Sequence, residues 1–168
     1  MGYLVHKEMI IGTGDIASVL PDRDDLLFFA SGVSDSSCTD LNEFSREKRL
    51  LLSQPNNKRL VYFSSLSIHY KDSMYTKHKK EVEHLVKLAF PDYCIIRLGN
   101  IDWGTNPNTI INYFKNNPTA EIRDEFRYII NKEDFLHWID LIPNFNTEMN
   151  LTGQRMSIQQ IYNTYANE

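Results

Sequence analysis

The clearest pattern in the chain is a pair of short apolar runs separated by a longer segment of helical periodicity. The runs Leu60–Ser65 and Tyr93–Leu98 contain β-branched and aromatic residues in a form typical of strands buried on both faces of a parallel sheet. Between them, apolar residues recur at helical spacing and predict a helix over Met74–Phe90 that packs on the sheet. This order of elements predicts an α/β fold.

Two polar residues lie on the apolar face of that helix. Tyr75 and Lys79 share a stripe roughly 80° wide with Val82, Val86 and Ala89, at about 100° per residue. A lysine that serves only solubility would point away from the sheet, so we expect Lys79 to point inward beside Tyr75. The solvent side of the helix is expected to carry Lys77, His78, Lys80 and Glu83.

The inward pair indicates acid/base chemistry. An ammonium one helical turn from a phenol favours the phenolate form, which can exchange a proton with an alcohol. Ser64 and Ser65 end the preceding strand, at the edge where open α/β sheets bind ligands. A serine hydroxyl there can hold a substrate hydroxyl or carbonyl against Tyr75. These residues predict interconversion of alcohols and carbonyls.

A glycine-rich segment follows the first predicted strand, Glu8–Ile11. The segment Gly12-Thr13-Gly14-Asp15-Ile16-Ala17 is the Gly-x-Gly-x-x-Ala form of the dinucleotide fingerprint. Its glycines permit a tight turn, and the helix predicted over Asp15–Leu20 would point its N-terminus at a pyrophosphate. The Asp15 carboxylate would repel phosphate unless it points away. The alternative is a glycine turn that binds no ligand.

The spacing to the next strand is unusually short. Leu26–Ala30 predicts a strand that ends at Ser31-Gly32, and only about a dozen residues separate it from the first strand, close to the minimum for one parallel crossover. The first strand then becomes an edge of the sheet, open to pairing by another chain.

The remaining elements alternate between helix and strand. Thr39–Ser53 predicts a helix capped by Thr39 or Asp40. Its mixed charged face consists of Glu43, Arg46, Glu47, Lys48 and Arg49. Helices are also predicted over Thr109–Lys115, Glu133–Ile142 and Ser157–Tyr165, and a strand over Glu121–Ile130.

Composition narrows the class of protein. The chain has 168 residues and a formal charge of -4, which predicts one globular domain and argues against nucleic acid or an anionic membrane as a partner. No apolar run approaches the ~18 residues of a membrane helix, and the start of the chain shows no signal-peptide pattern. Cys38 and Cys94 have neither metal nor redox spacing, which favours a reducing, cytoplasmic location and no metal site.

The order of these motifs resembles a known family. A strand ending in Ser-Ser, then Tyr-x-x-x-Lys, then a strand followed by Arg97-Leu98-Gly99-Asn100 and a nearby Gly104 resembles the extended branch of the short-chain dehydrogenase/reductase superfamily. The closest resemblance is to its NAD-dependent nucleotide-sugar epimerases and dehydratases. It implies a Rossmann-type parallel sheet with helices on both faces, and Ser65, Tyr75 and Lys79 as catalytic residues.

The resemblance also implies ligands. The cofactor would be NAD or NADP, with Lys79 and Tyr75 at the nicotinamide ribose. The further cofactor contacts would be Gly12, Thr13, Gly14, Asp15, Ile16, Ala30, Ser31 and Gly32. A nucleotide-sugar-like substrate would contact Ser67, Asn100 and Arg127, and family association suggests polysaccharide biosynthesis. For Arg127 the alternative is a surface charge on a strand.

The resemblance runs over nearly the whole chain but with one internal deletion, because the family's second and third strands have no counterpart. The residue that would hold the adenosine ribose is therefore missing unless Asp22 or Arg23 replaces it. We expect one shortened domain over 1–168, with a cofactor-binding core at 1–104 and a reduced substrate part at 105–168.

Two questions stay open from the sequence. The resemblance implies a homodimer through the helices at 39–53 and 74–90, and the alternative is that their outer faces are merely solvated. The chain is expected to be an NAD(P)-dependent oxidoreductase or epimerase. The alternative is a reduced, non-catalytic relative that binds nucleotide weakly or serves as an assembly partner.

Overall fold

The computed structural model describes residues 9–168 as two sheets with helices around them. The strands are β1 (Ile10–Ile11), β2 (Leu26–Phe29), β3 (Arg59–Ser65), β4 (Tyr93–Leu98), β5 (Asn100–Ile101), β6 (Phe126–Ile130), β7 (Thr147–Leu151) and β8 (Gln154–Ser157). The helices are α1 (Leu41–Leu52), α2 (Met74–Ala89), α3 (Ile110–Asn116), α4 (Lys132–Asp140) and α5 (Ile158–Tyr165).

The main sheet has five parallel strands in the order β1-β2-β3-β4-β7. On one of its faces, Leu51 of α1 and Val82 and Val86 of α2 join a buried apolar cluster with the strands. On the other face, Phe135 and Ile139 of α4 do the same. The predicted α/β sheet with helices on both faces is therefore confirmed.

The deletion expected after the first strand is visible in the sheet. In the described part of the chain, β1 pairs only with β2 and so forms one edge, while Glu8 lies outside the described residues. The short helix predicted over Asp15–Leu20 is present only as a three-residue 3₁₀ helix, Ala17–Val19. The connection between β1 and β2 is close to the minimum length for a parallel crossover, so it has no room for a longer helix.

A smaller sheet follows the main one. β5 pairs in parallel with β6, and β6 pairs antiparallel with β8, a strand that the polar sequence Gln-Arg-Met-Ser did not predict. Observed β6 is shorter than the predicted strand Glu121–Ile130. The third apolar cluster packs α3 and α5 on this sheet through Ile111, Phe114 and Ile161.

One residue, Gly99, connects the two sheets by separating β4 from β5. Its N–H donates to the carbonyl of Leu151 at 3.0 Å. A side chain there would press on the carbonyl oxygens of Tyr128 and Thr152, 3.0 and 3.1 Å from an added Cβ. The close approach of three backbone segments therefore favours glycine at this position.

The expectation that His78 and Glu83 of α2 face solvent is wrong, because both are buried, although Lys77 and Lys80 are exposed as predicted. Glu47, from the charged face of α1, is also buried. His78 is covered because α1 packs beside α2, where its ring stacks on Phe44 with centroids 4.2 Å apart.

In the described residues, no helix is long and apolar enough to cross a membrane.

Candidate active site

A cavity of about 910 Å³ opens at the carboxyl ends of the central strands. It is lined by the ends of β3 and β4, by the loops that follow β1 and β2, and by residues of α2, at the position expected for ligands in a parallel sheet. The structure brings nearly all of the predicted site residues to this cavity. Those lining it are Thr13, Gly14, Asp15, Ile16, Ala30, Ser31, Gly32, Ser65, Ser67, Tyr75, Lys79, Asn100 and Arg127.

The two serines at the end of β3 have different partners. Ser64 Oγ is buried and donates to Glu83 Oε2 at 2.6 Å, and Glu83 also accepts from Arg97 Nη2 at 2.6 Å. Ser65 Oγ lies on the cavity side, 2.7 Å from Ser67 Oγ, and accepts the Ser67 N–H at 3.1 Å. Of the pair, Ser65 is therefore the one whose partners face the cavity.

Tyr75 is fixed at the start of α2 by a capping box. Ser73 Oγ accepts the Thr76 N–H at 3.1 Å, and Thr76 Oγ1 accepts the Ser73 N–H at 2.9 Å. This reciprocal cap defines where the helix begins, so Tyr75 falls in its first turn and packs against Val33 and Phe44. Lys79 lies one turn later, with Nζ 5.6 Å from the centre of the Tyr75 ring.

Lys79 is held by the carboxylate of Glu47, a residue counted in the mixed charged face of α1. Its Nζ donates to Glu47 Oε1 at 3.0 Å and to the Tyr62 hydroxyl at 3.2 Å. Tyr62 in turn donates to Glu47 Oε2 at 2.6 Å, and Glu47 Oε1 accepts the Val33 N–H. The ion pair between Lys79 and Glu47 therefore lies between α1, α2 and β3.

Burial and charge act in opposite directions at this cluster. Burial alone would raise the pKa of Glu47, but Lys79, with help from His78 and Tyr62, brings that pKa below its ordinary value. Burial raises the pKa of Tyr62 well above its ordinary value, and the Glu47 carboxylate raises it further. Tyr62 therefore stays a neutral donor.

A sequence signal for Glu47 did exist. Phe44, Glu47 and Leu51 are the buried residues of α1, and their spacing of three and four places them on one helical face. A carboxylate between two apolar residues on the inward stripe has the same pattern as Lys79 on α2. This pattern is hard to recognise in the sequence because other charged residues, Arg46 and Lys48 among them, flank Glu47.

Asp15 does not point at a phosphate. Its carboxylate accepts the N–H groups of Thr105 at 3.1 Å and Asn106 at 2.8 Å, and its carbonyl accepts from Trp103 Nε1 at 3.1 Å. Gly104, at φ +95°, leaves room for Asp15 in this contact. Asp15 therefore joins the glycine loop to the loop after β5.

The residues present fit one half of a dinucleotide better than the other. Gly32, Tyr75 and Lys79, which are predicted at the nicotinamide side, line the cavity. The turn predicted to face the pyrophosphate is less complete, because Gly12 at φ +130° packs on the Ala30 backbone and does not line the cavity, and only a short 3₁₀ helix follows it. Arg23, one of the two suggested replacements at the adenosine ribose, is bound by Asp25 at 2.7 Å.

The side of the cavity where substrate contacts are predicted, here called the substrate side, carries two cations, Lys71 and Arg127. Arg127 donates to Glu125 Oε2 at 2.7 Å and to the Phe126 carbonyl at 2.9 Å. Lys71, which the sequence analysis missed, also lines the cavity, and partial burial together with Arg127 lowers its pKa. Asn100 Nδ2 donates to the Tyr128 carbonyl at 3.2 Å.

No protein-family model matches the sequence, and no curated protein matches it either. Solved structures do resemble it. The Bordetella bronchiseptica enzyme WbmG in complex with NAD aligns with a TM-score of 0.63 at 14% identity, over 83% of this chain and 54% of that one. UDP-glucose 4-epimerase from Thermotoga maritima gives 0.64 at 12% identity, over 83% and 59%.

A third similar structure is UDP-glucuronic acid 4-epimerase from Bacillus cereus, with a TM-score of 0.59 at 15% identity, over 77% of this chain and 53% of that one. At such identities the likeness concerns the fold. It confirms, at that level, the resemblance and the shortened Rossmann-type sheet expected from the sequence. The chain therefore shares the fold of structures described as NAD-bound enzymes and nucleotide-sugar epimerases, and spans little more than half their length.

Proposed function

We propose that the chain is an NAD(P)-dependent oxidoreductase or epimerase acting on a nucleotide-sugar-like substrate through Ser65, Tyr75 and Lys79. The observation that carries the proposal is that these three residues, from β3 and α2, line one cavity together with Gly32 at the end of β2. Similar structures described in complex with NAD, UDP and UDP-glucuronic acid support the ligand class.

Each residue has a distinct task in this proposal. The Tyr75 hydroxyl exchanges a proton with the reacting hydroxyl or carbonyl, and Ser65 orients that oxygen by a hydrogen bond. The Lys79 ammonium supplies positive charge next to Tyr75 and a donor for a ribose hydroxyl. Bound nicotinamide supplies the hydride acceptor and donor. Asn100, Arg127 and Ser67 hold the nucleotide and sugar of the substrate.

A second candidate is a reduced, non-catalytic relative that binds nucleotide weakly. The short connection between β1 and β2 favours it, because the described chain offers no strand or helix beyond β1 for an adenosine.

Two further parts of the proposal are a homodimer through α1 and α2 and a cytoplasmic location. Free thiols at Cys38 and Cys94 support the second part.

A titration with NADH and NADPH, followed by nicotinamide fluorescence, separates the two candidates. Binding of either at millimolar concentration or below supports the enzyme, and no binding of either favours the non-catalytic relative. When binding is present, Tyr75→Phe should abolish turnover of a nucleotide-sugar panel and leave cofactor binding nearly unchanged. Tyr93→Phe, the same change at the far end of β4, is the matched control. Retained activity in Tyr75→Phe would remove Tyr75 from the mechanism.

A further inference from the structure

The ion pair between Glu47 and Lys79 is almost completely withdrawn from water. Lys79 is 2% exposed and Glu47 is 0% exposed. An ammonium in such a position loses its proton unless an anion compensates for the lost hydration, and removing one partner of a buried pair leaves the other uncompensated. Glu47 is the carboxylate in contact with Lys79.

We propose that Glu47 is a positioning residue, which keeps Lys79 charged inside the protein and fixes its Nζ at the wall of the cavity. The catalytic consequence rests on the function proposed above, whereas the charge relationship does not. Of the three donors of the ammonium, one goes to Glu47 and one to the Tyr62 hydroxyl. The third has no hydrogen-bond partner among the described residues.

Gly32, in the loop after β2, lies directly against the ion pair between Glu47 and Lys79. A Cβ added at Gly32 would lie 2.7 Å from Lys79 Nζ and 2.8 Å from Glu47 Oε1. The loop after β2 can therefore pass over the ion pair only because residue 32 has no side chain. Arg46, the neighbour of Glu47 on α1, holds the same loop by donating to the Ser31 carbonyl at 3.0 Å.

The other charged and titratable groups near Lys79 do not replace Glu47. Tyr62 is kept neutral by its raised pKa. Glu83 is already bound by Arg97, and His78, whose Nε2 lies 3.3 Å from Glu47 Oε1, cannot supply a negative charge. Tyr75, the remaining neighbour, presents its ring to Nζ.

The test follows the charge of Lys79 directly. Lysine labelled with ¹³C at Cε is titrated with pH by NMR, and the Lys79 signal is assigned by its loss in Lys79→Met. In Glu47→Gln, which keeps the size of the side chain, we expect Lys79 to titrate at least one pH unit lower than in the unaltered protein. The matched control is Glu81→Gln, which removes the partner of Lys48 in an ion pair with an exposed carboxylate and should move the Lys48 titration much less. An unchanged Lys79 titration in folded Glu47→Gln overturns the proposal.

Tyr62→Phe keeps the test decisive if Glu47→Gln does not fold. This variant removes the neutral partner and leaves the carboxylate, so Lys79 should titrate within about half a pH unit of the unaltered protein. A shift of a full unit would assign the role to the hydroxyl instead and overturn the proposal.

The pH dependence of turnover distinguishes a positioning role of Glu47 from a merely structural one. In Glu47→Gln the rate should fall at a lower pH than in the unaltered enzyme, because Lys79 loses its charge sooner as pH rises. A loss of rate by one factor at every pH would contradict a positioning role. If neither protein turns over but the NMR shift is present, the function proposed above fails while the charge relationship stands.

Discussion

The Asp15 carboxylate accepts the backbone N–H of Asn106 at 2.8 Å, across 91 positions of the sequence. A second N–H, from Thr105, donates to the same carboxylate. This contact fastens the glycine loop to the segment that precedes α3. Asp15, whose carboxylate would repel a phosphate, therefore has a structural role as the acceptor of two backbone N–H groups.

We predict that Asp15→Ala lowers the free energy of unfolding by about 1–3 kcal/mol, because two backbone donors lose their acceptor. Urea denaturation measures the change, and limited proteolysis should show earlier cleavage near residues 104–109. Asp24→Ala, at an exposed position in the next turn, is the control and should change stability by less than about 0.5 kcal/mol. Equal stability of the two variants would show that the contact does not hold the loop.

The stability contributed by Glu47 should depend on pH in a defined direction. Its pKa in the folded protein lies below the ordinary 4.5, so its contribution is complete above that value and is lost as pH falls further. We predict that Glu47→Gln costs about 3 kcal/mol at pH 7 and progressively less between pH 4.5 and 3. Urea unfolding of both proteins across this range measures the difference. A cost that stays constant with pH would contradict a charged Glu47.

The two cations at the substrate side should govern phosphate binding. If the substrate carries a nucleotide diphosphate, Lys71→Met and Arg127→Met should each weaken UDP binding about tenfold, and less at high salt. Affinity should also fall as pH rises, and sooner than for an ordinary lysine, because the pKa of Lys71 is lowered. Isothermal titration calorimetry at two ionic strengths provides the measurement. The control is Lys80→Met, an exposed position that does not line the cavity.

The outer sides of α1 and α2 carry exposed apolar residues that would be covered in the proposed homodimer. Leu88 is 71% exposed and Leu41 is 67% exposed. We predict a dimer at micromolar concentration by sedimentation, and a monomer in Leu88→Glu. Leu141→Glu, at a position 53% exposed beyond α4, should leave the dimer intact. A monomeric unaltered protein would refute this arrangement.

The part of the fold that the sequence could predict is local. The strands β3 and β4 and the helix α2 follow from short apolar runs and helical periodicity, and these elements fix where Ser65, Tyr75 and Lys79 lie. The small sheet was only partly predictable, because β8 is a polar strand whose pairing with β6 depends on residues far away in the chain.

The site was less predictable than the fold for an electrostatic reason. Glu47 and Lys79 are 32 positions apart and lie on different helices. Helical periodicity places Lys79 on an inward stripe, but neighbouring charges in the sequence obscure the inward position of Glu47. Periodicity can place a charged residue on an inward face, but the residue that pairs with it on another helix is known only once the helices are packed. The same holds for Glu83 and Arg97, which meet between α2 and β4.

The single residue between β4 and β5, Gly99, sets how Asn100 is oriented relative to the end of β4. Side chains alternate along an extended chain, so one residue more or fewer at Gly99 would turn Asn100 to the opposite side of β5. The relative orientation of the side chains on β4, which pairs with β3 at Ser65, and on β5, which carries Asn100, is thus set by the number of residues between the two strands. An insertion of one residue there would misalign the two halves of the cleft while leaving each half folded.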